Sequence, residues 1–210
     1  MDPLYLEGIF GYAIGDFGFS YLTNYDANGE IVPEVAREVP TIANGGVSAD
    51  GERVTYHLRH GVLWQDGVPL TSRDVVFTYR AVMNPRDAIP SRDVYDRISS
   101  VSAPDPYTVV VRTRAPYSPI VAHFFGGDSN YAILPAHLLS RYASLDRVAY
   151  NGAPIGSGPY RFGRWLHGDR ITLFANPTYF EGRPAIDRID LRFVSDSSTI
   201  VNQLLTGEID

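Results

Sequence analysis

Apolar and polar residues alternate through Val54, Thr55, Tyr56, His57, Leu58 and Arg59. A period of two describes a strand with one face buried. Val75, Val76, Tyr79, Val82 and Met83 recur instead at helical spacing. The stretch Thr71-Ser-Arg-Asp74 opens that helix, because Thr71 can cap free amides and Asp74 favours the positive helix end. Asn84-Pro85 stops it. Tyr107, Val109 and Val111 share one face of a strand that follows a turn at Pro104-Asp-Pro106. Ser118-Pro119 reads as a helix N-cap before residues 120–125, with Gly126-Gly127 as the stop. Pro135 starts a short helix through Tyr142. Ile171, Leu173 and Ala175 mark a strand, as do Ile189, Leu191 and Phe193. Residues 197–205 form a capped helix that Gly207 can end. The run Ile9-Phe-Gly-Tyr-Ala-Ile-Gly-Asp-Phe-Gly-Phe-Ser-Tyr-Leu22 is either a helix or a buried strand, and its glycines count against the helix. Asp26-Ala-Asn-Gly29 is a turn. Strands and helices mix without strict alternation, which predicts an α/β fold with a mixed sheet.

Composition narrows the chemistry. The chain has 210 residues, enough for one large domain or two small ones. Its net charge of -6 disfavours nucleic acid, whose backbone requires a basic surface. All 18 basic residues are arginine. Without lysine there is no Walker A loop, no Schiff-base chemistry and no kinase-type ATP lysine. Without cysteine there are no thiol nucleophiles, disulfides or thiolate metal sites. No apolar run reaches the length of a membrane span, and the opening Met1-Asp-Pro-Leu-Tyr-Leu-Glu has no basic region before an apolar stretch.

Catalytic constellations are also missing. Gly156-Ser-Gly158 and Gly46-Val-Ser-Ala-Asp50 both fail the nucleophile-elbow pattern. His57 and His60 fall on a strand and its exit, facing opposite sides, and His123, His137 and His167 have no ligand spacing. Asp187 and Asp190 sit among Arg183, Arg188 and Arg192, as on a solvated strand face. The expectation is therefore no enzyme, no metal and no cofactor.

Five segments in order carry a resemblance. They are Tyr25-Asp-Ala-Asn-Gly with Ile31-Val-Pro-Glu-Val-Ala36; Leu58-Arg-His-Gly; Trp64-Gln-Asp-Gly-Val-Pro-Leu with Arg73-Asp-Val-Val-Phe; Pro154-Ile-Gly-Ser-Gly-Pro-Tyr160 with Asn176-Pro-Thr-Tyr-Phe-Glu-Gly-Arg-Pro184; and Asp196-Ser-Ser-Thr199 with Thr206-Gly-Glu-Ile-Asp210. Together they resemble the family 5 extracellular solute-binding proteins, the receptors of ABC importers. Three positions depart from that family's pattern. Pro40 stands where an aromatic is usual, Ser157 replaces a threonine, and Ser20-Tyr21-Leu22 occupies the place of Glu-Gly-Leu. Gly61 and Gly67 permit tight turns around Trp64, and the glycines of Pro154-Ile-Gly-Ser-Gly-Pro-Tyr160 allow close backbone approach at a chain reversal.

The resemblance implies the first lobe of a periplasmic-binding-protein-like class II fold, with a smaller subdomain inserted. It divides the chain into one subdomain of residues 1–32 with 152–210 and an inserted one of residues 33–151. A second lobe, and a first strand before Asp2-Pro3, are expected to be lacking. The implied function is capture of a peptide-like solute between two lobes and its delivery to the transmembrane subunits of a permease. That places a monomeric receptor in the periplasm or outside the cell, free or anchored as a lipoprotein. A metal chelate, an oligosaccharide or an opine is an alternative ligand, and a sensory or interaction domain an alternative role. In the family the cleft is walled by segments that fall here at residues 12–22, 86–95 and 126–131. Tyr12, Phe17, Tyr21, Tyr95 and Tyr131 offer flat apolar area there, and Ser20, Arg92 and Asn130 could orient a polar group or carboxylate.

Overall fold

The computed structural model describes residues 4–5 and 8–210, except for the side chains of residues 8–10, 12 and 13. Asp2-Pro3 lies outside the described residues. The first element is a helix, α1 (Gly8–Gly18). Its four glycines disfavour a helix locally, so tertiary packing sets the outcome: Ile14 and Phe17 join a cluster with Tyr160, Ile171 and Leu173. A hairpin follows, β1 (Thr23–Tyr25) paired antiparallel with β2 (Ile31–Pro33). Its turn is held by Asp26, whose Oδ1 accepts the amides of Asn28 at 2.8 Å and Glu30 at 2.9 Å, while Gly29 takes φ +80°.

The largest core lies behind a sheet in the order β3 (Arg53–His57), β5 (Thr108–Thr113), β4 (Ile98–Asp105). Val54, Tyr56, Val109 and Val111 point into it, together with Trp64, Phe124, Phe125 and Ile133. The alternation through Val54–Leu58 thus does place its apolar residues inside. The strand β4 was not expected, since Ser99, Ser100 and Ser102 give it little apolar character. It forms because β5 offers it a paired edge, and Pro104 sits where the register shifts, a position that tolerates the missing amide donor. Helix α2 (Ser72–Val82) packs on β4 and β5. Asp74 does more than complement the helix end. Its Oδ2 accepts the Thr71 amide at 2.8 Å, and its Oδ1 accepts the Ala136 amide at 2.9 Å. The carboxylate therefore joins the start of α2 to the start of α4 (Ala136–Leu139).

Two helices are shorter than expected. Residues 120–125 shrink to α3 (Ile120–His123), capped by Pro119 rather than Ser118. Phe125 leaves the helix at φ 47° and, with Phe124, turns into the core. The helix from Pro135 ends at Leu139, before Tyr142. The last sheet is β6 (Tyr160–Leu166), β7 (Arg170–Ala175), β8 (Arg188–Arg192). The strand β6 was also unforeseen, because Gly163 and a register shift between Phe162 and Trp165 break its alternation. Helix α5 (Ser197–Thr206) closes the chain, with Asp196 accepting the Thr199 amide at one end and Gly207 at φ 71° at the other. All strand pairings among the described residues are antiparallel.

Two of the quoted sequence segments meet directly. The Gln65 amide donates to the Gly156 carbonyl at 2.9 Å, and its side-chain oxygen accepts the Gly156 amide at 3.1 Å. Its side-chain nitrogen donates to the Tyr160 carbonyl at 2.7 Å. On the far side of this loop, the Gly158 amide donates to the carbonyl of Gly18 at 3.0 Å. A Cβ at Gly156 would lie 1.8 Å from the Gly18 oxygen, and one at Gly158 would lie 2.6 Å from the Gly18 carbonyl carbon. Only glycine permits this approach.

Two outcomes follow for thermal or urea unfolding. Gly158→Ala destabilises by about 2–3 kcal/mol, since the clash is with backbone that cannot rotate aside. Gln65→Ala costs about 2 kcal/mol, as it leaves a glycine amide and a carbonyl unpaired in the loop, and lowers Tm by about 4–8 °C. Unchanged melting of both variants would contradict this account.

Candidate functional site

The chain leaves α1 at the Gly18–Gly158 contact and runs through Phe19-Ser-Tyr-Leu22 into β1. That segment is buried throughout. The Ser20 carbonyl accepts the Ile133 amide at 3.3 Å, and the Leu22 amide donates to the Phe125 carbonyl at 2.6 Å. The segment at residues 20–22 is thereby laid beside residues 125–133. Tyr95 enters from a 3-10 turn (Tyr95–Arg97). Its ring centroid lies 5.3 Å from that of Phe125 and 5.6 Å from that of Tyr131. Tyr95 and Tyr131 thus meet inside the largest core, while Tyr21 packs in a separate cluster with Phe19 and Ala132. Burial and the neighbouring carboxylates of Asp16 and Glu34 hold the Tyr21 phenol well above its usual range.

The polar ends of these residues are turned to internal partners. Tyr21 hydrogen-bonds the Asp16 carboxylate. Tyr95 Oη and Ser129 Oγ are 2.9 Å apart. Tyr131 Oη donates to the Ser91 carbonyl at 2.6 Å and accepts the Ser91 amide at 3.0 Å. Arg92 donates from Nε to the Val82 carbonyl at 2.7 Å and from one terminal nitrogen to the carbonyls of Asn84 and Asp87, each at 2.9 Å. Its guanidinium thus satisfies the carbonyl end of α2 and the loop beyond it. Asn130 is exposed. Phe17 lies apart from these: it meets Tyr160 edge-on at 5.6 Å and, with Ile14, Leu191, Phe193 and Ile200, lines a groove of about 530 Å³. The Tyr12 side chain lies outside the described residues.

One residue absent from the candidates stands against the same segment. Glu34 follows β2 and is 7% exposed. Its Oε2 accepts from Asn24 Nδ2 at 3.2 Å, and the Tyr21 amide also stabilises the carboxylate. The fully buried Ser20 hydroxyl lies close enough to favour the ionised form, yet meets no hydrogen-bond geometry. Burial outweighs these contacts, and Glu181 adds repulsion, so the Glu34 carboxyl is pushed up to about 8. Tyr179 donates to Glu181 Oε2 at 3.2 Å. Arg59 Nε donates to the Glu34 carbonyl at 2.7 Å, while its guanidinium carbon lies 6.0 Å from the Phe180 ring centroid. The sequence signal was a lone acid in an apolar run, Ile31-Val-Pro-Glu-Val-Ala36, since a charged residue there must either reach water or be buried.

Among the described residues no group of three or more His, Asp or Glu side chains could hold a metal ion. No described helix is long and apolar enough to cross a membrane. Of the sequence candidates, Tyr21, Tyr95, Tyr131 and Ser20 are therefore buried packing residues, and Asn130 is exposed.

Comparison with known proteins agrees with this architecture. The oligopeptide-binding protein AppA of Bacillus subtilis is 32% identical over 197 residues, covering 91% of this chain and 34% of that protein. Protein XP55 of Streptomyces lividans is 30% identical over 192 residues, covering 91% and 33%. The structure of AppA in complex with a nonapeptide matches all of this chain and 40% of its own, at a TM-score of 0.91 and 28% identity. NikZ from Campylobacter jejuni in complex with Ni(L-His) matches the same shares at a TM-score of 0.87 and 28% identity. The chain therefore spans about a third of the curated relatives it matches. The family description "Bacterial extracellular solute-binding proteins, family 5 Middle" fits residues 30–210, and the chain belongs to that family.

Proposed function

We propose that this chain forms part of the first lobe of an ABC-importer receptor, which closes with a second lobe on a peptide-like solute and presents it to a membrane permease. The observation that carries this reading is the match of all 210 residues to AppA, whose structure contains a nonapeptide. Binding would be a hinge closure. In this reading the protein performs no chemistry on its ligand. It works as a monomer in the periplasm or outside the cell, either free or lipoprotein-anchored.

We also propose two subdomains, residues 1–32 with 152–210 and the inserted residues 33–151. The support is that α1 and the β6-β7-β8 sheet share one core cluster, while the β3-β5-β4 sheet belongs to another. Gln65 would then tie the inserted part to the loop at which the chain returns.

The test is calorimetric titration of the complete receptor with a nonapeptide, with trialanine and with nickel–histidine. Binding of a peptide with a Kd on the order of micromolar, and none of the chelate, is expected. Chelate binding without peptide binding would overturn the peptide reading. Native mass spectrometry of the receptor purified from its host gives an independent check, with a co-purifying peptide expected and an oligosaccharide as the contrary result.

A further inference from the structure

The outer face of the last sheet carries a charge opposite to that of the whole chain. The chain has a net charge of -6, yet arginines gather on this face. Strand register places Arg161, Phe174 and Arg188 in one row across β6, β7 and β8, and sets Arg170 directly opposite Arg192 in another. The alternate residues Ile171 and Leu173 point the other way, into the cluster with Ile14. Thr172, 7% exposed, lies at a recess of about 280 Å³ that Arg164, Arg170 and Arg188 line together with Leu166 and Phe174.

Two acids answer these five arginines. Asp190 accepts from Thr172 Oγ1 at 2.6 Å and pairs with Arg188 at 2.8 Å, and Asp169 lies 3.9 Å from Arg170. Arg161 donates to Asn176 and Thr178 rather than to an acid. Arg164 and Arg192 form no ion pair among the described residues. Like charges directly opposite, as at Arg170 and Arg192, destabilise a sheet. Phe174 is 46% exposed, and a Cβ at Gly163 would lie 2.6 Å from its ring. The bare backbone of β6 therefore lets that ring lie against the strand. The recess combines cationic walls with apolar edges, which suits a carboxylate on an aliphatic stem.

The two faces of this sheet call for different neighbours. The inner side ends in the apolar groove of Phe17, Leu191, Phe193 and Ile200, where further apolar chain can pack. The outer side does not suit burial against a core, because unpaired guanidinium groups are costly to remove from water. An anionic membrane is disfavoured too, since it repels the net negative charge of the chain. A single acidic segment lying on the sheet meets only the charges within a Debye length, and those are arginine-rich.

We propose that the outer face of β6, β7 and β8 docks an acidic protein segment, one of whose carboxylates enters the recess among Arg164, Arg170 and Arg188. The inference rests on the receptor reading above and gives it a contact surface: the segment is an Asp- or Glu-bearing stretch on the outward side of the permease. Docking supplies the ion pairs that Arg164 and Arg192 lack among the described residues.

The experiment measures docking of the complete receptor, loaded with nonapeptide, to its permease held in nanodiscs of neutral phosphatidylcholine. Wild-type docking should weaken about tenfold between about 0.05 M and about 0.5 M salt, because exposed charges are screened. Arg164→Glu combined with Arg192→Glu should weaken low-salt docking by about tenfold or more and remove most of the salt dependence. Neither side chain has an ion pair to lose, so the melt and the calorimetric affinity for the nonapeptide should stay unchanged. The milder pair Arg164→Gln with Arg192→Gln should weaken docking a few-fold. Docking that both pairs of substitutions leave intact overturns the inference while the receptor stands. So does an equal loss in Arg112→Glu, at an exposed position of the β3-β5-β4 sheet, since that marks a general effect of charge. So does binding of the receptor to vesicles of about one-third phosphatidylglycerol that Arg164→Glu with Arg192→Glu abolishes, because the face then serves lipid. A receptor that does not dock at any salt concentration removes the importer reading, and this inference with it.

Discussion

Much of this structure depends on a contact between backbones. The end of α1, the loop at Gly156-Ser-Gly158 and the turn bearing Gln65 stack in three layers, main chain against main chain at α1 and joined by the Gln65 side chain on the other side. Each layer positions something else. The end of α1 sets where Phe19-Ser-Tyr-Leu22 begins. The loop fixes the entry into β6. Gln65 fixes Trp64, which fills the largest core. A side chain at Gly156 or Gly158 would push the loop off the end of α1, because it meets main-chain atoms of Gly18 and Phe19.

Around this stack the polar groups are mostly spent on holding segments together. Asp74 joins two helix starts across 62 positions of sequence. Arg92 gathers three carbonyls. Tyr131 binds the backbone of Ser91 twice. These groups build a stiff wall, as a site needs if its residues are to be held in place before a ligand arrives. Against that background Glu34 is the exception, a buried acid whose charge is not matched by anything nearby.

How far the sequence discloses this varies with the cause. Where burial is local and periodic, as at Val54–Leu58 or Val75–Val82, the elements are plain from spacing alone. The strands β4 and β6 are not, because Ser99-Ser100 and Gly163 carry no alternation and gain their strand character from a partner. Helix α1 is ambiguous for the same reason, since its glycines oppose a helix and its packing on the last sheet decides in favour. The site behaves similarly. Tyr21, Tyr95 and Tyr131 were legible as aromatic residues, but spacing did not reveal that they are buried with their hydroxyls facing inward. Glu34 escaped attention because its burial arises from Asn24, Ser20 and residues 179–181, which lie far apart in the chain.

The contact of Gly18 with Gly156 and Gly158 has an evolutionary consequence. Because the register of the wall is set by main-chain atoms, it does not depend on which side chains follow. The path of Phe19-Ser-Tyr-Leu22 is then set by where α1 ends rather than by its own side chains. The cost is that positions 156 and 158 admit only glycine, since any side chain there meets the main chain of Gly18 and Phe19.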